Sequence, residues 1–204
     1  MSNNLKNDVR EDLKRFVDSC RSAVSEEDFK WQLRDYLKST HKYDYVDCEC
    51  QERSSDLPGY EWSAESSVVR TDVRVLRARK IVIIELKYVT KRHQGPPKRS
   101  YNFWKDVRRL ECMQRYFGSD MEGGFAVFVT NNPIYEKGPQ REPNYIYFTM
   151  AANDPNAGPD KHWADMTTQM AKENPNFSVD RNHCKVREWN NSGIAGFRYC
   201  MIEI

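Results

Sequence analysis

Three residues near the middle of the chain are of the types that could form half of an active site. Asp72 lies in "SSVVRTDVRVL", residues 66–76, while Glu85 and Lys87 lie in "KIVIIELKYV", residues 80–89. Both segments read as strands joined by a short turn. Residues two apart on a strand share a face, so Glu85 and Lys87 point the same way. If the hairpin is symmetric about the Ala78–Arg79 bond, Asp72 stands directly opposite Glu85, with Cβ atoms about 5 Å apart. Like charges so placed repel, and such a pair persists when something offsets the repulsion. A divalent cation does this, and hard carboxylate oxygens select Mg²⁺ or Mn²⁺. The register depends on the turn "RARK", which lacks the Gly or Asn that fixes a two-residue turn. A slip of one residue would send the two carboxylates to opposite faces.

A Glu-x-Lys triplet alone is a weak signal; roughly one is expected by chance in a chain of ordinary composition. The run "IVII" before Glu85 strengthens it. Such a run marks a strand buried on both faces, where an unpaired Glu is costly.

The elements that must position these residues are legible on either side. Residues 4–24 read as a helix, with Leu5, Val9, Leu13, Phe16, Val17, Cys20 and Val24 on one stripe. A second helix starts at Ser25, the N-cap of a capping box in which Asp28 replaces the usual Glu. Its face carries Phe29, Leu33, Tyr36 and Leu37. Residues 43–52 alternate as a strand. After the hairpin, "HQGPPKRS" (93–100) breaks the chain, and residues 101–117 form a helix. "GGFAVFVTNNP" is a buried strand with a turn after it. "NYIYFTM" is another strand, residues 160–173 a short helix, and residues 185–204 a closing hairpin. The order α-α-β-β-β-α-β-β-α-β-β predicts an α/β protein with a mixed sheet flanked by helices.

Asp72, then Glu85-Leu86-Lys87 at the end of an apolar strand, with a helix before and a helix after, resembles the PD-(D/E)xK signature of restriction-endonuclease-like nucleases. Thr71 stands where that signature has its Pro. The resemblance covers about residues 25–130. It implies a restriction-endonuclease-like central sheet, with an added N-terminal helix (1–24) and C-terminal β/α elements (151–204) around a core of about residues 25–150. It implies Asp72, Glu85 and the Leu86 carbonyl as ligands of Mg²⁺ or Mn²⁺, and Lys87 as the group that orients the attacking water or stabilises charge on the phosphate. The helix before the motif contributes an acid in that family. By helical angle Glu26 lies closer to the core face than Glu27 and is the better candidate, directly or through a metal-bound water. Asp106 is a weaker one, and an ion pair with Lys105 or Arg109 is its plainer role. The implied activity is metal-dependent hydrolysis of DNA phosphodiesters, of restriction or defence type. A non-catalytic nucleic-acid-binding or assembly module of the same fold, or an RNA-directed nuclease, is the alternative. A dimer would supply the two active sites that double-strand cutting needs.

The tail "KYVTKRHQGPPKRS" places Lys91, Arg92, Lys98 and Arg99 beside the motif, a basic run suited to phosphate contact. Arg108, Arg109 and Arg115 could extend it. With a net charge of +2, any affinity for nucleic acid must come from such local clustering. Trp104 and Tyr101 read as core residues rather than base-stacking ones. The 204 residues suit one domain. No run is long enough for a membrane span, and "MSNNLKNDVREDLKRF" has no signal-peptide core. The six cysteines form no CxxC pair and read as buried, reduced thiols of a cytoplasmic protein. His41, His93, His162 and His183 form no metal motif.

Overall fold

Among the described residues, three amphipathic helices and six strands make the framework, and the helices are cut to length by identifiable chemistry. A computed structural model describes residues 4–60, 67–92, 96–137, 150–153, 177–179, 184 and 186–204. Helix α1, Leu5–Ser19, starts at Asn4, whose side chain accepts from Asn7 N. It buries Leu5, Val9, Leu13, Phe16 and Val17, as the stripe predicts. It stops five residues short of the expected end, because Cys20 turns extended and Gly193 N–H donates to the Val17 carbonyl at 2.8 Å. Val24 is therefore not on the stripe, and is 88% exposed.

Helix α2, Glu26–Ser39, is capped by Ser25, whose hydroxyl accepts from Asp28 N at 3.0 Å. The Asp28 carboxylate reaches back to Val24 N, one residue before the cap. Helix α3, Pro96–Phe117, begins five residues earlier than expected. Pro96 and Pro97 open it rather than break it, since first-turn N–H groups have no helical partner to lose.

The strands are β1 (Tyr45–Arg53), β2 (Val68–Arg77), β3 (Lys80–Val89), β4 (Met121–Thr130), β5 (Asn190–Asn191) and β6 (Arg198–Glu203). They form one sheet in the order β1-β2-β3-β4-β6-β5. Only β3 and β4 are parallel, joined by α3; the other pairs are antiparallel. Central β3 is buried from Val82 to Leu86, which accounts for its apolar run. The closing hairpin is present as β5 and β6, with a first arm of two residues. The expected strand at 144–150 (apart from Met150) and the helix at 160–173 lie outside the described residues.

Two cores sandwich the sheet. Val82, Ile84, Leu86 and Tyr88 of β3 pack with α1 and α2. Ile83 and Val89 pack with Phe103, Trp104, Val107 and Leu110 of α3. Tyr101 and Trp104 are core residues, as the sequence predicts. None of the six cysteines is in a disulfide, and five of them are buried. Among the described residues, no helix is long and apolar enough to cross a membrane.

Candidate active site

The hairpin β2–β3 has the symmetric register. Arg77 pairs with Lys80, Val75 with Val82, and Val73 with Ile84. Ala78 and Arg79 form the turn with φ of 50° and 66°. These left-handed values belong to the two-residue turn that matches strand twist, here built without Gly or Asn. Asp44 supports it by accepting from Ala78 N at 2.7 Å.

The ladder then opens. Val73–Ile84 is its last pair, and the next row holds Asp72 and Glu85. In a hairpin with a two-residue turn, the bonded residues of β3 beyond Ile84 are Leu86 and Tyr88. Their N–H groups have lost their β2 partners and are taken by two carboxylates. Asp72 Oδ2 accepts from Leu86 N at 2.8 Å, and Glu26 Oε2 accepts from Tyr88 N at 3.0 Å. By the same parity the Leu86 carbonyl faces this opened edge between them.

The opening extends to β1. Cys48 pairs with Val73 and Cys50 with Thr71, so Glu49 stands opposite Asp72. Its φ is 57°, a strained value for a non-glycine residue in a strand. One row of the sheet thus carries Glu49, Asp72 and Glu85 on three successive strands, ending at Ala126 of β4. Thr71, buried beside this row, donates its hydroxyl to the Cys50 carbonyl at 3.3 Å.

Cations of the chain converge on these acids. Lys30 of α2, almost wholly buried, contacts Glu49, reaches Glu27 at 3.0 Å and lies 4.0 Å from Asp72. Lys87 Nζ sits between Glu26 Oε1 at 3.1 Å and Asp106 Oδ2 at 3.5 Å, so α2 and α3 hold it from two sides. Arg109 Nη1 lies 3.2 Å from both Glu85 Oε2 and Asp106 Oδ1. Burial works against the Lys87 charge, but Asp106, Glu26 and Asp72 outweigh it and hold its pKa above the ordinary value. Burial pushes the Glu85 carboxyl well above its usual range, with Arg109 opposing. Burial also raises Asp72 to about 6, and the Leu86 N–H bond pulls the other way.

Each candidate from the sequence has a definite place. Asp72, Glu85, Lys87 and Glu26 meet at the opened edge. Glu27 turns away to Lys30 and to Trp31 Nε1, 2.6 Å off. Asp106 pairs with Arg109 but also reaches Lys87, so it belongs to the cluster. Lys91, Arg92 and Lys98 are exposed and Arg99 is half-buried, while residues 93–95 lie outside the described residues. Arg115 is exposed. Arg108 and Arg109 are turned inward instead: Arg108 onto Glu111 at 2.8 Å, Arg109 onto Glu85. Sequence reasoning missed Lys30, Glu49 and the inward turn of Arg109. Lys30 stands one turn after Glu26 and adjoins Phe29, the signal that could have found it.

Among the described residues, no three His, Cys, Asp or Glu side chains are already gathered around one point to hold a metal. The donors available nonetheless suit a hard divalent cation. Asp72, Glu85 and the Leu86 carbonyl offer oxygens at one edge. Glu85 Oε1 is buried with no hydrogen-bond partner among the described residues, an atom in need of a cation or donor. The chain matches no family model, no curated protein and no solved structure.

Proposed function

We propose that this protein is a divalent-metal-dependent phosphodiesterase of the restriction-endonuclease-like fold, acting on DNA. The observation that carries the reading is the opened edge of β3. There a buried carboxylate with an unsatisfied oxygen, a facing carboxylate, a backbone carbonyl and a clamped lysine converge.

Asp72, Glu85 and the Leu86 carbonyl would hold Mg²⁺ or Mn²⁺. When bound, such an ion polarises a phosphoryl oxygen and acidifies a water. Lys87 is the chain's own contribution to charge stabilisation. Its ammonium is charged and fixed by Glu26 and Asp106, so it is pre-aimed at negative charge developing on the phosphate. Glu26 also ties the start of α2 to Tyr88 N, keeping the edge open beside Lys87. Lys91, Arg92, Lys98 and Arg99 follow β3 and would meet the phosphate backbone. A second copy would supply the second cut of a duplex.

The test is incubation with supercoiled plasmid, linear duplex and matched RNA in Mg²⁺ or Mn²⁺. Cleavage of DNA is expected, with a loss of about 10²-fold or more in Asp72→Ala and Lys87→Ala. Nicking retained in either variant sinks the site. Preferential cutting of the RNA would move the substrate class. A second reading, a non-catalytic module, draws on the cations Arg109 and Lys30 already neutralising the acids. Duplex binding without saturable Mn²⁺ binding would favour it.

A further inference from the structure

Among the described residues, Arg109 is the strongly basic group in direct contact with the buried carboxylate of the opened edge. Its Nη1 is shared among Glu85 Oε2 at 3.2 Å, Asp106 Oδ1 at 3.2 Å and the Arg70 carbonyl at 3.4 Å. Its Nε is buried and has no hydrogen-bond partner among the described residues. A guanidinium offers five donors in a rigid fork. Here one nitrogen serves three acceptors while another serves none. Even with the Tyr60 hydroxyl as a further partner, that leaves the fork incompletely used, and the side chain is still 20% exposed. Across the same carboxylate, Glu85 Oε1 also has no hydrogen-bond partner among the described residues.

We propose that Arg109 is a place-holding cation. It neutralises Glu85 while no divalent ion is bound, and it turns its fork to a non-bridging oxygen of the scissile phosphate once Glu85 is engaged elsewhere. The inference rests on the metal-site reading above and adds a phosphate-binding residue on α3. Its physical content is competition. A guanidinium and a divalent cation favour the same carboxylate, and at a separation of a few ångströms their mutual repulsion is large. Removing the guanidinium charge must favour the ion even as it removes a contact to the substrate. A purely structural arginine would behave otherwise, since its loss would loosen the site and weaken both.

The experiment titrates Mn²⁺ alone, by electron paramagnetic resonance of the free ion, into wild type, Arg109→Gln and Arg109→Lys, with thermal melts to confirm folding. Duplex cleavage is then followed at saturating Mn²⁺. Arg109→Gln should bind Mn²⁺ about tenfold more tightly and cleave about 10²-fold more slowly. Arg109→Lys keeps the buried charge and so the fold. It should bind Mn²⁺ as wild type does but lose kcat, because an ammonium cannot present the fork. If Arg109→Gln binds Mn²⁺ no more tightly than wild type, or Arg109→Lys cleaves at the wild-type rate, the place-holding role is wrong while the metal site stands. If wild type itself binds no Mn²⁺, the metal-site reading fails and takes this inference with it.

Discussion

Asp72 shows what a carboxylate held away from water beside other acids costs a fold. Its carboxylate is mostly buried, and burial, with Asp106 and Glu26 adding repulsion, sets its pKa at about 6 against the pull of Leu86 N–H and Lys87. An unfolded aspartate titrates near ~3.9. Between those values the folded chain binds more protons than the unfolded one, so stability falls as pH rises. The contribution from protonated Asp72 is fully present below about pH 4 and lost by the time the pH has passed about 6. Asp72→Asn keeps an oxygen for Leu86 N and removes the titration. In EDTA the variant should be more stable than wild type at pH 7 by about 2 kcal/mol. That gap should close toward pH 4 in denaturant melts. Equal stability at pH 7 would show that the carboxylate is not buried at the cost described. At this scale the sequence revealed the pairings that follow from a two-residue period. Asp72 opposite Glu85, and Lys87 beside Glu85, need only strand alternation and a symmetric turn. Glu49 was hidden because β1 ends at Arg53 and β2 starts only at Val68, so no short turn fixes their register. Arg109 was hidden because a helical angle gives direction but not what stands opposite.

The element on which the site depends most is the turn between β2 and β3. It sets the register that brings Asp72 level with Glu85, yet it is built from two residues that disfavour its geometry. Ala78 and Arg79 both hold left-handed φ, and both are exposed. Arg79→Gly removes the steric cost of a Cβ at φ 66° without touching the cores. Glycine's greater freedom in the unfolded chain offsets part of that gain. A net stabilisation of about 0.5–1 kcal/mol is expected from denaturant melts, with Mn²⁺ affinity unchanged. A destabilised variant would mean that the Arg79 side chain, rather than the backbone, holds the turn. The helices were read well where a stripe meets a cap and poorly where the end is decided elsewhere in the chain. Ser25 marks the start of α2 in both sequence and structure. The end of α1 depends on Gly193, far along the sequence, and no local pattern announces it. The start of α3 was misplaced because a proline pair was read as a break, when its first-turn position makes it an opening.

At the scale of the whole molecule, the C-terminal hairpin locks onto the end of the first helix, and its Phe197 stacks on Tyr88 of the opened edge with ring centroids 5.1 Å apart. Gly193 N–H caps Val17 O at 2.8 Å. A Cβ at Gly193 would collide with the Asp18 carbonyl and stand 2.5 Å from that of Cys20. Both obstacles are backbone, so Gly193→Ala must push the hairpin off α1. About 2–3 kcal/mol of stability should be lost, read as a lower denaturant midpoint, whereas a variant as stable as wild type would mean that the two segments separate freely. The basic residues that follow β3 leave the sheet at this same end, level with the start of β6, and on the proposed reading a long polyanion would be met there. The net charge of +2 gives little global attraction, so binding should depend on the few basic residues after β3. Lys91, Arg92 and Lys98 are exposed and outside the internal ion pairs described above. Each one that contacts a phosphate adds about 0.9 to the slope of log K against log salt for a duplex. The triple Lys91→Ala/Arg92→Ala/Lys98→Ala variant should therefore bind duplex DNA more weakly in EDTA, with a shallower slope, while its Mn²⁺ affinity stays at the wild-type value because none of the three touches the carboxylates. Fluorescence anisotropy over a salt series reads both terms. A slope equal to that of wild type would move the nucleic-acid interface elsewhere on the surface, and a shallower slope with weakened Mn²⁺ binding would mean that these residues shape the site rather than the substrate path.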